Sequence, residues 1–182
     1  DAIKLAFSRL DSTNSTVHPG MREALSAPVR WAPDASLPKP APDTILLSLR
    51  EAYLLPAEKG SLAVEWDHDL PNVGSWKKGD RIAWKFAAAG NGVCEIGLRM
   101  ANDMDSNVAQ VWIDGLRAAT AQLPNTHGWQ NFQDHPIGNF MLAEGRHVIE
   151  VGQADDHDRF INLQYAWVRP SAAAATACAE DE

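Results

Sequence analysis

Ala109-Gln110-Val111-Trp112-Ile113-Asp114-Gly115 is the stretch on which the fold turns. Its first five residues alternate in polarity and are rich in β-branched and aromatic side chains, as a half-buried strand requires. The Asp-Gly pair that follows tolerates the positive φ values of a tight primed turn, so the chain doubles back into a return strand over 116–123. Outward from this hairpin the same pattern recurs. Apolar runs separated by Gly, Asn and Asp predict strands near 45–55, 61–66, 81–88, 92–101, 107–114, 137–142, 147–153 and 160–169, with a second tight turn at Gly90-Asn91-Gly92. Nine short strands at this spacing predict an all-β fold, a jelly-roll β-sandwich over residues 45–169. Trp66, Trp84, Trp112 and Trp167 fall inside apolar runs and are expected in its core.

Composition narrows the function classes. The chain has 182 residues, 45% hydrophobic and 22% charged, enough for one domain with a sizeable core and an extension. A formal charge of −8 repels phosphate backbones and anionic lipid, which excludes nucleic acid as the natural partner. No apolar run is long enough to span a bilayer, so no membrane insertion is expected. The chain starts at Asp1 without an initiator Met, as a mature secreted protein would, although a proteolytic fragment would look the same. The expected location is extracellular, and the sequon Asn14-Ser15-Thr16 then marks Asn14 as a glycosylation acceptor. Two readings of the cysteines stand. Cys94 and Cys178 bridge in an oxidising compartment and staple the tail to the sandwich, or Cys94 is a buried small hydrophobe and Cys178 is unpaired.

The ends differ from the middle. Pro19, Pro28, Pro33, Pro38, Pro40 and Pro42 break regular structure, so residues 1–44 read as an irregular, Pro-rich arm or linker. Within it Ile3-Lys4-Leu5-Ala6-Phe7 alternates like a short strand, and residues 21–25 fit one helical turn. Residues 170–182 form an alanine-rich and then acidic tail.

Asn72-Val73-Gly74-Ser75-Trp76-Lys77-Lys78-Gly79-Asp80-Arg81-Ile82-Ala83-Trp84 resembles the carbohydrate-binding modules of the family 6, 35 and 36 type. The likeness continues through Arg99-Met100-Ala101-Asn102, Trp112-Ile113-Asp114-Gly115, Gly128-Trp129-Gln130-Asn131-Phe132, Leu142-Ala143-Glu144-Gly145-Arg146-His147 and Asn162-Leu163-Gln164-Tyr165. It covers about two thirds of the chain and rests on the order of these segments rather than on any one of them. The resemblance implies a sugar-binding cleft among loops at one end of the sandwich. Carried over by position, it implies Trp129 and Trp76 as stacking rings and Asn162 as a hydrogen-bonding amide. A sugar has an apolar C–H face and a polar rim, so a flat ring beside an amide meets both. Beside that reading stands a structural one, in which Trp129 and Trp76 anchor loops to the core and Asn162 caps a turn. The resemblance also implies a structural calcium held by Glu51 and an Asp of the last strand. Gln164 stands in the place of that Asp, which removes a charge from a hard oxygen site. Asp67-His68-Asp69 and Asp155-Asp156-His157-Asp158 read as solvated loop tips.

Nothing in the sequence points to catalysis. It has no Gly-x-Ser-x-Gly elbow, no phosphate-cradling glycine loop and no His-Glu-x-x-His, and its six histidines are scattered. The expected function is therefore non-catalytic binding of a glycan or polysaccharide by the loop end of the sandwich, with no required cofactor. A second class remains open: a subunit of an extracellular filament or assembly, whose arm contacts copies of itself by adding the Ile3 to Phe7 strand to a neighbouring edge. In a third, the chain is a piece of a hydrolase and the Pro-rich stretch is a domain linker.

Overall fold

The computed structural model describes residues 41–65, 70–154 and 159–171. Asn14, Trp66, Cys178, both acidic loop tips, residues 1–40 of the arm and residues 172–182 of the tail lie outside them. Among the described residues eleven strands pair antiparallel into two sheets. They are β1 (Ile45–Ser48), β2 (Tyr53–Leu55), β3 (Ala63–Glu65), β4 (Asn72–Gly74), β5 (Arg81–Ala88), β6 (Gly92–Ala101), β7 (Val108–Ile113), β8 (Leu116–Gln122), β9 (Gln133–Leu142), β10 (Gly145–Gln153) and β11 (Asn162–Pro170). One sheet runs β2-β5-β10-β7-β8 and the other β3-β4-β11-β6-β9, with β1 also paired to β11. This is the all-β sandwich that the sequence predicts.

Period-two alternation explains how each strand feeds the core. On β5, Ile82, Trp84 and Phe86 are buried between the sheets while Lys85 and Ala87 face out. Ile149 and Val151 on β10, Ile96, Leu98 and Met100 on β6, and Ala166 and Val168 on β11 complete the same layer. Burying each of the larger side chains contributes roughly 1.5–3 kcal/mol. Trp84 also needs a partner for its indole N–H, and it donates across the core to the Ser48 carbonyl at 2.9 Å. One buried ring thereby ties β5 of the first sheet to β1 of the second.

Several elements depart from the sequence reading, each for a physical reason. The run 45–55 is two strands, because the chain passes from one sheet to the other through a 3-10 turn at Leu49–Glu51. β4 lies within a segment that reads as a glycine-bearing turn, and it is only three residues long. β9 begins at Gln133 and runs through Pro136, which is tolerated because β9 is an edge strand with a register shift opposite Ile96 and Gly97. Asp114-Gly115 makes the expected primed turn, with φ of 52° and 78°. Gly90-Asn91-Gly92 does not: it links β5 to β6 in the opposite sheet, and none of its residues has a positive φ.

Two of the tryptophans expected in the core turn away from the layer between the sheets: Trp112 lies half-buried on an outer face, while Trp167 is buried as expected, at 6% exposure, but outside the cluster that fills the space between the sheets. Trp112 sits between the inward-facing Val111 and Ile113, so it points out, and the Arg81 guanidinium stacks 3.8 Å above its ring. Arg81 in turn pairs with the buried Glu150 at 3.1 Å. Trp167 alternates with Ala166 and Val168 and lies over Gly97, where any Cβ would run into its indole. Arg169 covers it at 4.5 Å.

Candidate binding cleft

At one end of the sandwich a cleft of about 240 Å³ opens between the loop after β4, the loop between β8 and β9, and the segment leading into β11. Ser75 and Trp76 come from the first, Trp129 from the second, and Arg159, Phe160, Ile161 and Asn162 from the third.

The loop after β4 is shaped by Asp80. Its buried carboxylate accepts hydrogen bonds from the backbone N–H groups of Ala57 and Lys77 at 2.7 Å and of Ser61 at 3.2 Å. The Ser61 hydroxyl then donates to the Ser75 carbonyl at 2.6 Å, which fixes the turn where Ser75 holds a left-handed φ of 58°. The opposite loop is shaped by Thr126, which is fully buried. Its backbone N–H donates to the Asn102 carbonyl at 2.7 Å, and its Oγ1 accepts from the Asn102 N–H at 2.9 Å. The next two residues, His127 and Gly128, hold φ of 60° and 146° and turn the chain so that Trp129 reaches the cleft.

The structure brings Trp129, Asn162 and Trp76 to one place, with different exposures. Trp129 is half-buried and lines a wall. Asn162, the first residue of β11, donates from Nδ2 to the Trp129 carbonyl at 2.8 Å, so its amide holds the loop that carries the ring. Trp76 is 1% exposed and forms the floor, its edge against Phe160 at 5.2 Å and its indole N–H donating to the Val73 carbonyl at 3.3 Å. A ring so buried has no free face on which a sugar could stack. Arg159 and Phe160 were not singled out in the sequence, although both stand within three residues of Asn162. Arg159 is exposed at the rim and makes no ion pair with a described residue.

Glu65 stands beside the cleft. Its Oε2 accepts from Asn72 Nδ2 at 2.9 Å, and its Oε1 converges with Asn162 Oδ1 over Gly74. A Cβ at position 74 would collide with that carboxylate oxygen and come within 2.9 Å of Asn162 Oδ1. The residues that frame the cleft thus include a glycine that no side chain can replace without moving two polar groups.

The set implied for calcium does not fit the ion. Glu51 is exposed on the 3-10 turn, and Gln164 Oε1 already accepts from Arg99 Nε at 3.2 Å, which sets a guanidinium where a dication would need an anionic ligand. No group of three or more His, Cys, Asp or Glu with metal-binding proximity occurs among the described residues. Cys94 carries a free thiol whose pKa is raised by burial.

Comparison with known proteins agrees with this architecture. The profile of the family described as carbohydrate binding module (family 35) matches residues 58–166. A family 35 carbohydrate-binding module from Clostridium thermocellum superposes with a TM-score of 0.59 at 18% identity, covering 70% of this chain and 98% of the other. A Cellvibrio mixtus lichenase module, solved with cellotriose, gives 0.57 at 16% identity, covering 70% and 97%. An exo-β-1,3-galactanase from Phanerochaete chrysosporium gives 0.59 at 15% identity, covering 69% of this chain but 29% of the enzyme. No curated protein matches in sequence. The family profile spans most of the sandwich, from the loop before β3 into β11, and on that match the chain belongs to the family 35 carbohydrate-binding modules.

Proposed function

We propose that this domain binds a glycan in the cleft at its loop end and does so without catalysis, outside the cell. The observation that carries the reading is the convergence of a half-buried indole, an amide and an exposed guanidinium on one cleft. Trp129 supplies an apolar face for a pyranose ring. Asn162 keeps that face in place, while the exposed Arg159 and the Ser75 hydroxyl, which reaches Glu65 Oε1 only at 3.5 Å, stand where the sugar's polar rim would lie. Binding without turnover is supported by the lining itself, which contains no Asp, Glu or His among the described residues. Glycoside hydrolysis ordinarily needs two carboxyl groups flanking the scissile bond.

The test is a glycan array followed by calorimetric titration of the best ligand. Trp129→Ala is expected to weaken binding at least about tenfold, roughly 1.4 kcal/mol, while the unfolding midpoint stays close to that of the parent. The bound oligosaccharide should be recovered uncleaved after prolonged incubation. An unchanged affinity in the Trp129 variant, or no bound sugar across the array, would remove the proposal.

A further inference from the structure

The two walls of the cleft are joined behind it by a buried polar pin. Asn107, between β6 and β7, is completely buried, and its Nδ2 donates to the Phe160 carbonyl and to Asn102 Oδ1, the latter at 2.7 Å. Asn102 is also completely buried, and its backbone N–H and carbonyl both bond Thr126 at the root of the Trp129 loop. Its own Nδ2 reaches the carbonyls of Met104 at 2.8 Å and Pro124 at 2.9 Å. The Thr126 carbonyl then accepts from Asn131 Nδ2, beyond Trp129 in the same loop. A continuous path of hydrogen bonds thus runs from Phe160 on one wall through Asn107, Asn102 and Thr126 to the loop that holds Trp129 on the other.

The buried Asn107 Oδ1 has no hydrogen-bond partner within the protein, so every side-chain bond of Asn107 to the walls runs through Nδ2. A small apolar residue would cut both of these bonds. The donors are therefore the reason for the amide. We infer that Asn107 is a positioning residue for the binding cleft, setting the spacing of the Phe160 and Trp129 walls and so which glycans enter. This rests on the reading that the cleft binds sugar, but the wall spacing can be tested without a ligand.

The experiment uses the full chain labelled with 5-fluorotryptophan, with the Trp129 and Trp76 resonances assigned from Trp→Phe variants. In Asn107→Ala the fluorine signals of Trp129 and of Trp76, which touches Phe160, are expected to shift or broaden. Those of Trp84, Trp112 and Trp167 should stay in place. Affinity for the array's best ligand should fall at least fivefold. Thr126→Val, which removes only the hydroxyl from the same path, should move the Trp129 signal, and Thr126→Ser should restore it. If Asn107→Ala does not fold, the two Thr126 variants decide the matter alone. An unmoved Trp129 signal, a movement of these five of the chain's seven tryptophan signals together, or full affinity despite a moved Trp129 signal would each overturn the assignment. Failure of the parent protein to bind any glycan would sink the proposed function instead, with the fluorine spectra still reporting on the pin.

Discussion

Gly74 shows how tightly single residues constrain this site. With no Cβ, it lets the Glu65 carboxylate and the Asn162 amide close over the backbone of β4, and Asn162 in turn holds the Trp129 carbonyl. Gly74→Ala is expected to push Asn162 off Trp129 and to lower glycan affinity about as much as removing the ring itself, roughly tenfold. Calorimetric titration beside circular dichroism would check that the loss occurs in a folded protein. An affinity equal to the parent's would show that Asn162 has other ways to hold the loop. At this scale the resemblance in motif order reached two residues that do line the cleft, Trp129 and Asn162, although the Asn162 amide is occupied in holding the Trp129 carbonyl. It was silent on Arg159 and Phe160, which carry no motif and matter only because the segment before β11 faces the loop after β8. For Trp76 the structural reading holds: the ring is 1% exposed and packs under Phe160, a placement set by three-dimensional packing that its neighbours Ser75 and Lys77 do not signal.

Strands follow the same division between local and distant causes. The β7–β8 hairpin was legible because its signal is local: an alternating run and an Asp-Gly pair suffice. Asp114 does more than turn the chain, since its carboxylate accepts from the Val148 N–H at 2.9 Å and meets His147 Nδ1 at 2.8 Å. Asp114→Ala therefore loses two bonds and puts a less tolerant residue at a left-handed φ. The expected loss of stability is about 2 kcal/mol, read from the urea midpoint, with Asp114→Asn losing clearly less. Equal losses in the two variants would mean that only the charge matters. The break in 45–55 and the strand β4 were not legible. Nothing within residues 45–55 says that β1 must pair with β11 and β2 with β5; that choice is made by partners more than 25 positions away. Pro136 likewise argues against a strand unless the edge position of β9 is known.

At the scale of the whole molecule, burial gives pH a handle on the fold through His135 and Tyr165. Burial holds the His135 imidazole below its ordinary pKa of 6.5, partly offset by a hydrogen bond to the Gln122 backbone. The unfolded chain therefore takes up a proton at this residue before the folded chain does. Stability should be undiminished above about pH 6.5 and fall as the pH drops below it, and His135→Gln should flatten that part of the profile. Thermal melts of both proteins between pH 7.5 and pH 5 would show it, and parallel curves would rule His135 out as the cause. Burial also raises the pKa of the Tyr165 phenol, with the nearby Asp134 charge adding to the effect, so that hydroxyl keeps its proton and its 3.3 Å bond to Asp134 well into the alkaline range.

β11 is the last described strand along the chain, yet it lies inside its sheet, with β6 on one side and β1 and β4 on the other. It begins at Asn162, directly after the segment that builds one wall of the cleft. The same stretch of chain therefore completes both the sheet that joins β1, β4 and β6 and the cleft wall that leads into it, so a change that loosens β11 in its sheet is felt directly at the cleft.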